Sequence, residues 1–146
     1  MDILVAIDFS TATNKLLSEV ILLPPFFDAK VWLIHAVEPE EPADDYFKVF
    51  STTMRNAIAE HYHEEHKILQ HHAQVLRDKG IDAASLLVQG APVKMILQEA
   101  KNLDVSVIII GSHGHGSLFN LLLGSISEGV LQKSVCPVLV VPIRES

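Results

Sequence analysis

Apolar residues recur along the chain in two rhythms. Near-continuous runs at residues 2–8 (DILVAID), 105–110 and 137–141 are short and rich in Ile, Val and Leu, so they read as strands covered on both faces, and 30–37 carries the β-branched and aromatic residues of a further strand. A run at 81–88 is less hydrophobic and suits a strand at a sheet edge. Helical periodicity fills the gaps. The stretch Phe9-Ser10-Thr11 offers N-caps for a helix reaching about Leu23, which Pro24 and Pro25 end. From about Tyr46 to Lys79, Phe47, Phe50, Met54, Ile58, Tyr62, Leu69, Ala73 and Leu76 hold one face, and Gly80 stops the helix. Pro92 stands in the first turn of a helix over 93–101. Glu38-Pro39-Glu40-Glu41-Pro42 cannot pair inside a sheet and ends the second strand.

Strands alternating with helices predict an α/β fold: a doubly wound, five-stranded parallel sheet with helices on both faces, a Rossmann-like sandwich. Ligands in such sheets sit beyond the carboxyl ends of the strands, where the strand order reverses. If the order is 3-2-1-4-5, that point lies between strands one and four and sets Asp8 beside Gly111. A carboxylate there suits a ribose hydroxyl, and the end of strand two, His35-Ala36-Val37, can offer backbone groups to a base edge. Asp8 equally reads as an acid favoured by the dipole at a helix N-terminus; both readings stand.

The stretch after strand four carries the most specific signal. Gly111, Gly114 and Gly124 are spaced G-x2-G-x9-G, with Ser125 next. Glycines let the backbone take positive φ and approach a ligand, and turned main-chain N–H groups make an anion-binding concavity. Ser125-Ile126-Ser127-Glu128 fits a capping box, with Ser125 capping a helix that runs to about Ser134. A phosphate at that N-terminus would meet unpaired N–H groups, the positive end of the dipole and the hydroxyls of Ser125 and Ser127. The competing reading is that the glycines only make tight turns.

Composition narrows the classes. At 146 residues one domain spanning 1–146 is expected, and 49% hydrophobic with 20% charged residues argues against disorder. A formal charge of −7 disfavours nucleic acid or an anionic membrane as partner. No apolar run approaches the ~20 residues of a membrane span and no signal-peptide pattern opens the chain, so the expected location is cytoplasmic. Cys136 is the only cysteine and reads as a buried, inert thiol at the entry to the last strand.

Taken together, ILVAIDFS, VWLIHAV, QGAPVKMILQEA and IIIGSHGHGSLFNLLLGSISEGVLQKSVCPVLVV resemble the universal stress protein family in its ATP-binding branch. The resemblance covers the chain and implies strand order 3-2-1-4-5, ATP in the switch-point cleft and a homodimer through the last strand, residues Val138 to Val141. It implies that Ile7 and Asp8 flank adenosine, that Ala36 offers its backbone to adenine, and that Ile110 and Gly111 border the ribose. Gly114, Gly124, Ser125, Ile126 and Ser127 would hold the phosphates, with Mg2+ held in turn by them. Many relatives place basic residues just after the second glycine and before the third; here those positions read His115, Phe119 and Asn120. ATP thus loses cationic help and AMP or ADP becomes a competitor; His113 and His115, which flank Gly114, read either as imidazoles near the phosphates or as a loop-packing residue and a solvent-facing one, respectively. Leu118, Phe119, Leu121, Leu122 and Leu123 make the loop apolar enough to pack on a partner or on another part of the fold.

Other classes are less well furnished. No Walker A lysine motif, G-x-S-x-G elbow or H-E-x-x-H is present, so no catalytic residue is assigned and ATP hydrolysis is expected to be slow at most. The helix with His61, His63, His66, His71 and His72 invites a metal, yet the five do not gather on one face, and no metal site is assigned. The expected function is a regulatory, stress-response protein that binds nucleotide and acts through its shape or an unidentified protein partner. The alternative is a dimeric interaction module that binds no nucleotide.

Overall fold

The computed structural model describes residues 1–23, 28–38, 51–113 and 124–143, with backbone alone at Thr11, 51–59 and His113. Along these residues run β1 (Asp2–Ala6), α1 (Thr11–Val20), β2 (Lys30–Val37), α2 (Ser51–Asp78), β3 (Asp82–Gln89), α3 (Pro92–Asn102), β4 (Val107–His113), α4 (Ser125–Lys133) and β5 (Val138–Ile143). Every strand pairing is parallel and the order is β3-β2-β1-β4-β5. The winding reverses between β1 and β4, as the order 3-2-1-4-5 requires. The less apolar β3 lies at one edge and β5 at the other.

The side-chain period of two explains why β1 is apolar from Ile3 to Ala6. Ile3, Val5 and Ile7 face α1 and α2 through Leu16, Leu17, Val20, Leu69, Ala73 and Leu76. Leu4 faces the other way, onto Ile96 and Ala100 of α3 and Val130 of α4. Helices on both faces leave no side of this strand for water, so alternation with polar residues has no place in it.

Several boundaries differ from the sequence reading. α1 ends at Val20, short of Leu23, with Ser10 as its N-cap accepting from the Ala12 N–H. β4 continues through Gly111 to His113, three residues past the apolar run. Gly111 is therefore a strand residue; a Cβ on it would stand 3.1 Å from Ile143 Cγ1, so the glycine serves close packing at that point. α4 is capped by Gly124 with no side-chain bond, so Ser125 is not the N-cap: it opens the helix. Cys136 is half-buried rather than buried. The expected start of the long helix, with Phe47 and Phe50, lies outside the described residues.

Two packing details carry predictions. A Cβ on Gly129 of α4 would stand 2.8 Å from Val93 Cγ2 of α3, and a β-branched side chain in a helix has one strongly preferred rotamer. Gly129→Ala should therefore lower the urea midpoint: overpacking costs about 1–3 kcal/mol, against about 1 kcal/mol gained in helix propensity. A raised midpoint would show that Val93 yields.

His72 of α2 is half-buried, and burial, aided by the neighbouring His71, lowers its pKa from the usual 6.5. The unfolded chain then binds more protons below that pH than the native one, so this group's contribution to stability is lost as pH falls through the window below 6.5. His72→Gln should flatten that part of the profile in urea unfolding at pH 7.5 and 5.5; an identical slope would assign it to other groups.

Candidate functional site

Where β1 and β4 part, the sheet opens into a cleft of about 150 Å³ at the carboxyl ends of β1, β2 and β4. A volume of that order is enough to admit an aromatic ring. Its lining is mostly apolar: Ala6 and Ile7 at the end of β1, Leu16 from α1, Ile34 from β2, Ile96 from α3, Ile110 from β4, Ile126 from α4 and Ile143 from β5. Asp8, Thr13, His35 and Ser127 supply its polar side chains.

Asp8 follows β1 and precedes the cap of α1. Its Oδ1 accepts from the Ser10 backbone N–H at 3.0 Å, the Ser10 hydroxyl at 2.6 Å and the Thr13 hydroxyl at 3.5 Å. The first turn of α1 thus orients the carboxylate, which borders the cleft and stands at a helix N-terminus at once. Phe9, between Asp8 and Ser10, takes φ 63°. That region disfavours a bulky side chain, and such strain persists only where the surroundings impose it.

The polarity of β2 places Ala36. Lys30 N–H donates to Met1 O and Ile34 O accepts from Ile7 N–H, so the even-numbered residues of β2 direct their backbone groups toward β1. The β1 register ends at Ala6 opposite Ile34, so Ala36 has no strand residue across from it and turns its N–H and C=O into the cleft.

On the far side, the first turn of α4 borders the cleft through Ile126 and Ser127. The N–H groups of that turn have no acceptor within the helix, and they carry the positive end of its dipole. Ser127 is 4% exposed and its hydroxyl donates to Gly111 O at 2.9 Å, tying α4 to β4. Its proton is committed there, so it is not a ready donor to phosphate.

Ile7, Asp8, Ala36, Ile110, Gly111, Ile126 and Ser127 therefore meet around one cleft. Gly124 and Ser125 cap and open α4 without lining it. His113 ends β4 rather than standing in a loop, and its side chain, with Gly114, His115 and the apolar loop residues, lies outside the described residues. Sequence reasoning passed over Thr13 and the rings of His35 and Phe9. Thr13 carried a signal, a polar residue three positions after the Ser10 cap on the inward side of α1, where it is 2% exposed.

Residues 1–142 match the family described as the universal stress protein family. Universal stress protein YxiE of Bacillus subtilis is 34% identical over 145 residues, covering 94% of this chain and 96% of that one. Universal stress protein MJ0577 of Methanocaldococcus jannaschii is 30% identical over 158 residues, covering 99% and 96%. The solved structure of MJ0577 superposes with a TM-score of 0.76 over 99% of this chain and 97% of its own. More distant structures share the fold at 20% identity. One is a universal stress protein in complex with cAMP, with a TM-score of 0.69 over 99% and 98% of the two chains. Another is the Archaeoglobus fulgidus protein in complex with dAMP, with a TM-score of 0.64 over 96% of each.

Proposed function

This chain belongs to the universal stress protein family, and on that premise we propose that its cleft binds an adenine nucleotide, ATP or in its place AMP or ADP, as a regulatory signal. The observation that carries the reading is the Ala36 backbone beside a mostly apolar cleft of about 150 Å³. One outward N–H and one outward C=O offer a donor and an acceptor, the pair that the N1 atom and the amine of adenine can meet. Ile7, Ile110 and Ile126 would cover the ring faces, and Asp8 would accept from a ribose hydroxyl. The phosphates would run toward the first turn of α4 and the glycines Gly114 and Gly124, and Mg2+ would be held by the phosphates. Relatives of the same fold in complex with cAMP and dAMP support an adenine nucleotide as the ligand class.

The protein would act by shape and contact rather than turnover, as a homodimer paired through β5. Among the described residues no helix is long and apolar enough to cross a membrane. The test is mass spectrometry of nucleotide released from the purified protein on denaturation, followed by calorimetric titration with ATP, ADP and AMP. A captured adenine nucleotide and micromolar binding are expected. An empty protein that gives no heat with any of the three would overturn the reading. It would favour an interaction module, which the exposed Leu131, Val135 and Leu139 around β5 would then serve.

A further inference from the structure

We infer that His35 is a positioning residue: its ring N–H occupies the carbonyl that the Ala36 amide would otherwise bond, and so keeps that amide open to the cleft. The ladder shows what is displaced. Ile7 N–H donates to Ile34 O at 3.0 Å, and the next rung of the same parallel ladder would run from Ala36 N–H back to Ile7 O. That rung is absent. Ile7 O instead lies 2.8 Å from His35 Nδ1. A carbonyl only accepts, so Nδ1 carries the proton and donates, in the neutral ring as in the charged one.

The ring is held in place from outside the ladder. Phe9 stacks on it with centroids 3.9 Å apart and planes 30° from parallel. Phe9 reaches that position from a backbone at φ 63°, in the turn that also sets Asp8 and the Ser10 cap. The stack continues to His72 of α2, 6.3 Å from Phe9. Strain at residue 9, the stack and the ring bond therefore serve one arrangement: β1 and β2 stop pairing one rung early, and the unused donor faces a mostly apolar cleft. The ligand chemistry that fits is a planar heterocycle with an acceptor nitrogen on its edge. This part rests on the nucleotide reading above, whereas the displaced rung does not.

Nitrogen-15 NMR of the ligand-free protein separates the two. Long-range proton–nitrogen spectra should show the His35 proton on Nδ1, and the Ala36 amide should exchange far faster than that of Ile34 inside the ladder. In His35→Leu the carbonyl loses its ring donor and should recruit Ala36, slowing its amide exchange by about tenfold or more and weakening AMP binding by about tenfold. His35→Gln keeps a side-chain N–H that can reach Ile7 O and should restore both. An Nε2–H tautomer, a protected Ala36 amide in the natural chain, or unchanged exchange in His35→Leu would each overturn the inference. Should His35→Leu fail to fold, the two measurements on the natural chain decide. Should AMP fail to bind the natural chain, the nucleotide reading falls and the exchange data still judge the displaced rung.

Discussion

Ala6→Leu should abolish nucleotide binding while leaving the protein folded. Ala6 is the last residue of β1, half-buried, and it lines the cleft on the side of the sheet packed by α3 and α4. Three added carbons would occupy a cavity of about 150 Å³ from within. Each buried methylene contributes about 0.8 kcal/mol, so the added group can gain roughly 2 kcal/mol. Imperfect fit costs about 1–3 kcal/mol, so the thermal midpoint should move by only a few degrees in either direction. Binding has no such compensation, because the base and the leucine need the same space. The loss should exceed about a hundredfold, or about 2.8 kcal/mol. Calorimetric titration with ATP and AMP, beside a melt followed by circular dichroism, checks both halves. Unchanged affinity in a folded variant would place the nucleotide elsewhere.

The sheet was legible because burial on both faces leaves an unmistakable mark: runs such as ILVA and VIII admit no polar alternation, and their order along the chain allows few windings. The edge position of β3 was legible for the converse reason. Boundaries were harder where one residue type serves two purposes. Gly111 read as a loop glycine, yet it sits within β4, paired with Val141, and a Cβ there would come within 3.1 Å of Ile143 Cγ1. The Ser125 to Glu128 pattern located a helix start within one residue, but a capping box names residue types and cannot tell N-cap from first turn when a glycine precedes it. Gly124, with φ −62° and ψ 162°, took the cap, and Ser127 turned inward to Gly111. Of the candidate site, Asp8 and the stretch His35-Ala36-Val37 followed from strand ends and topology, the first turn of α4 from the glycine spacing and the capping pattern, and Ala36 in particular only from the family resemblance. The part played by His35 did not, since it depends on a ring crossing to a neighbouring strand and on a positive φ at Phe9. Nothing in the residue type Phe announces that conformation.

Val140→Pro should convert a dimer into a monomer without disturbing the sheet, because of which way each residue of β5 points. Pro137 O accepts from Ile108 N–H and Ile143 N–H donates to Ser112 Oγ, so odd-numbered residues face β4. The even-numbered ones face outward from the sheet edge. Val138 and Val140 present their N–H groups there, while Pro142 has none to present, which limits the edge to a short stretch. Leu139, 41% exposed, and Val135, 98% exposed, add apolar surface beside it. A second copy running antiparallel about a two-fold axis near Val140 would pair these groups and cover those side chains. Proline at 140 deletes an outward donor and no bond to β4, and symmetry makes the loss count twice. At about 0.5–1.5 kcal/mol per hydrogen bond, the dissociation constant should rise by at least about tenfold and up to hundreds-fold. Leu139→Pro, by contrast, would break the ladder to β4 and cost stability. Sedimentation at micromolar concentration should give a dimer for the natural chain and a shift to monomer for Val140→Pro, with equal far-ultraviolet circular dichroism. A natural chain that is already monomeric would refute the pairing. A dimer that survives the proline would move the interface to another face, and the apolar loop at 118–123 would be the next surface to test.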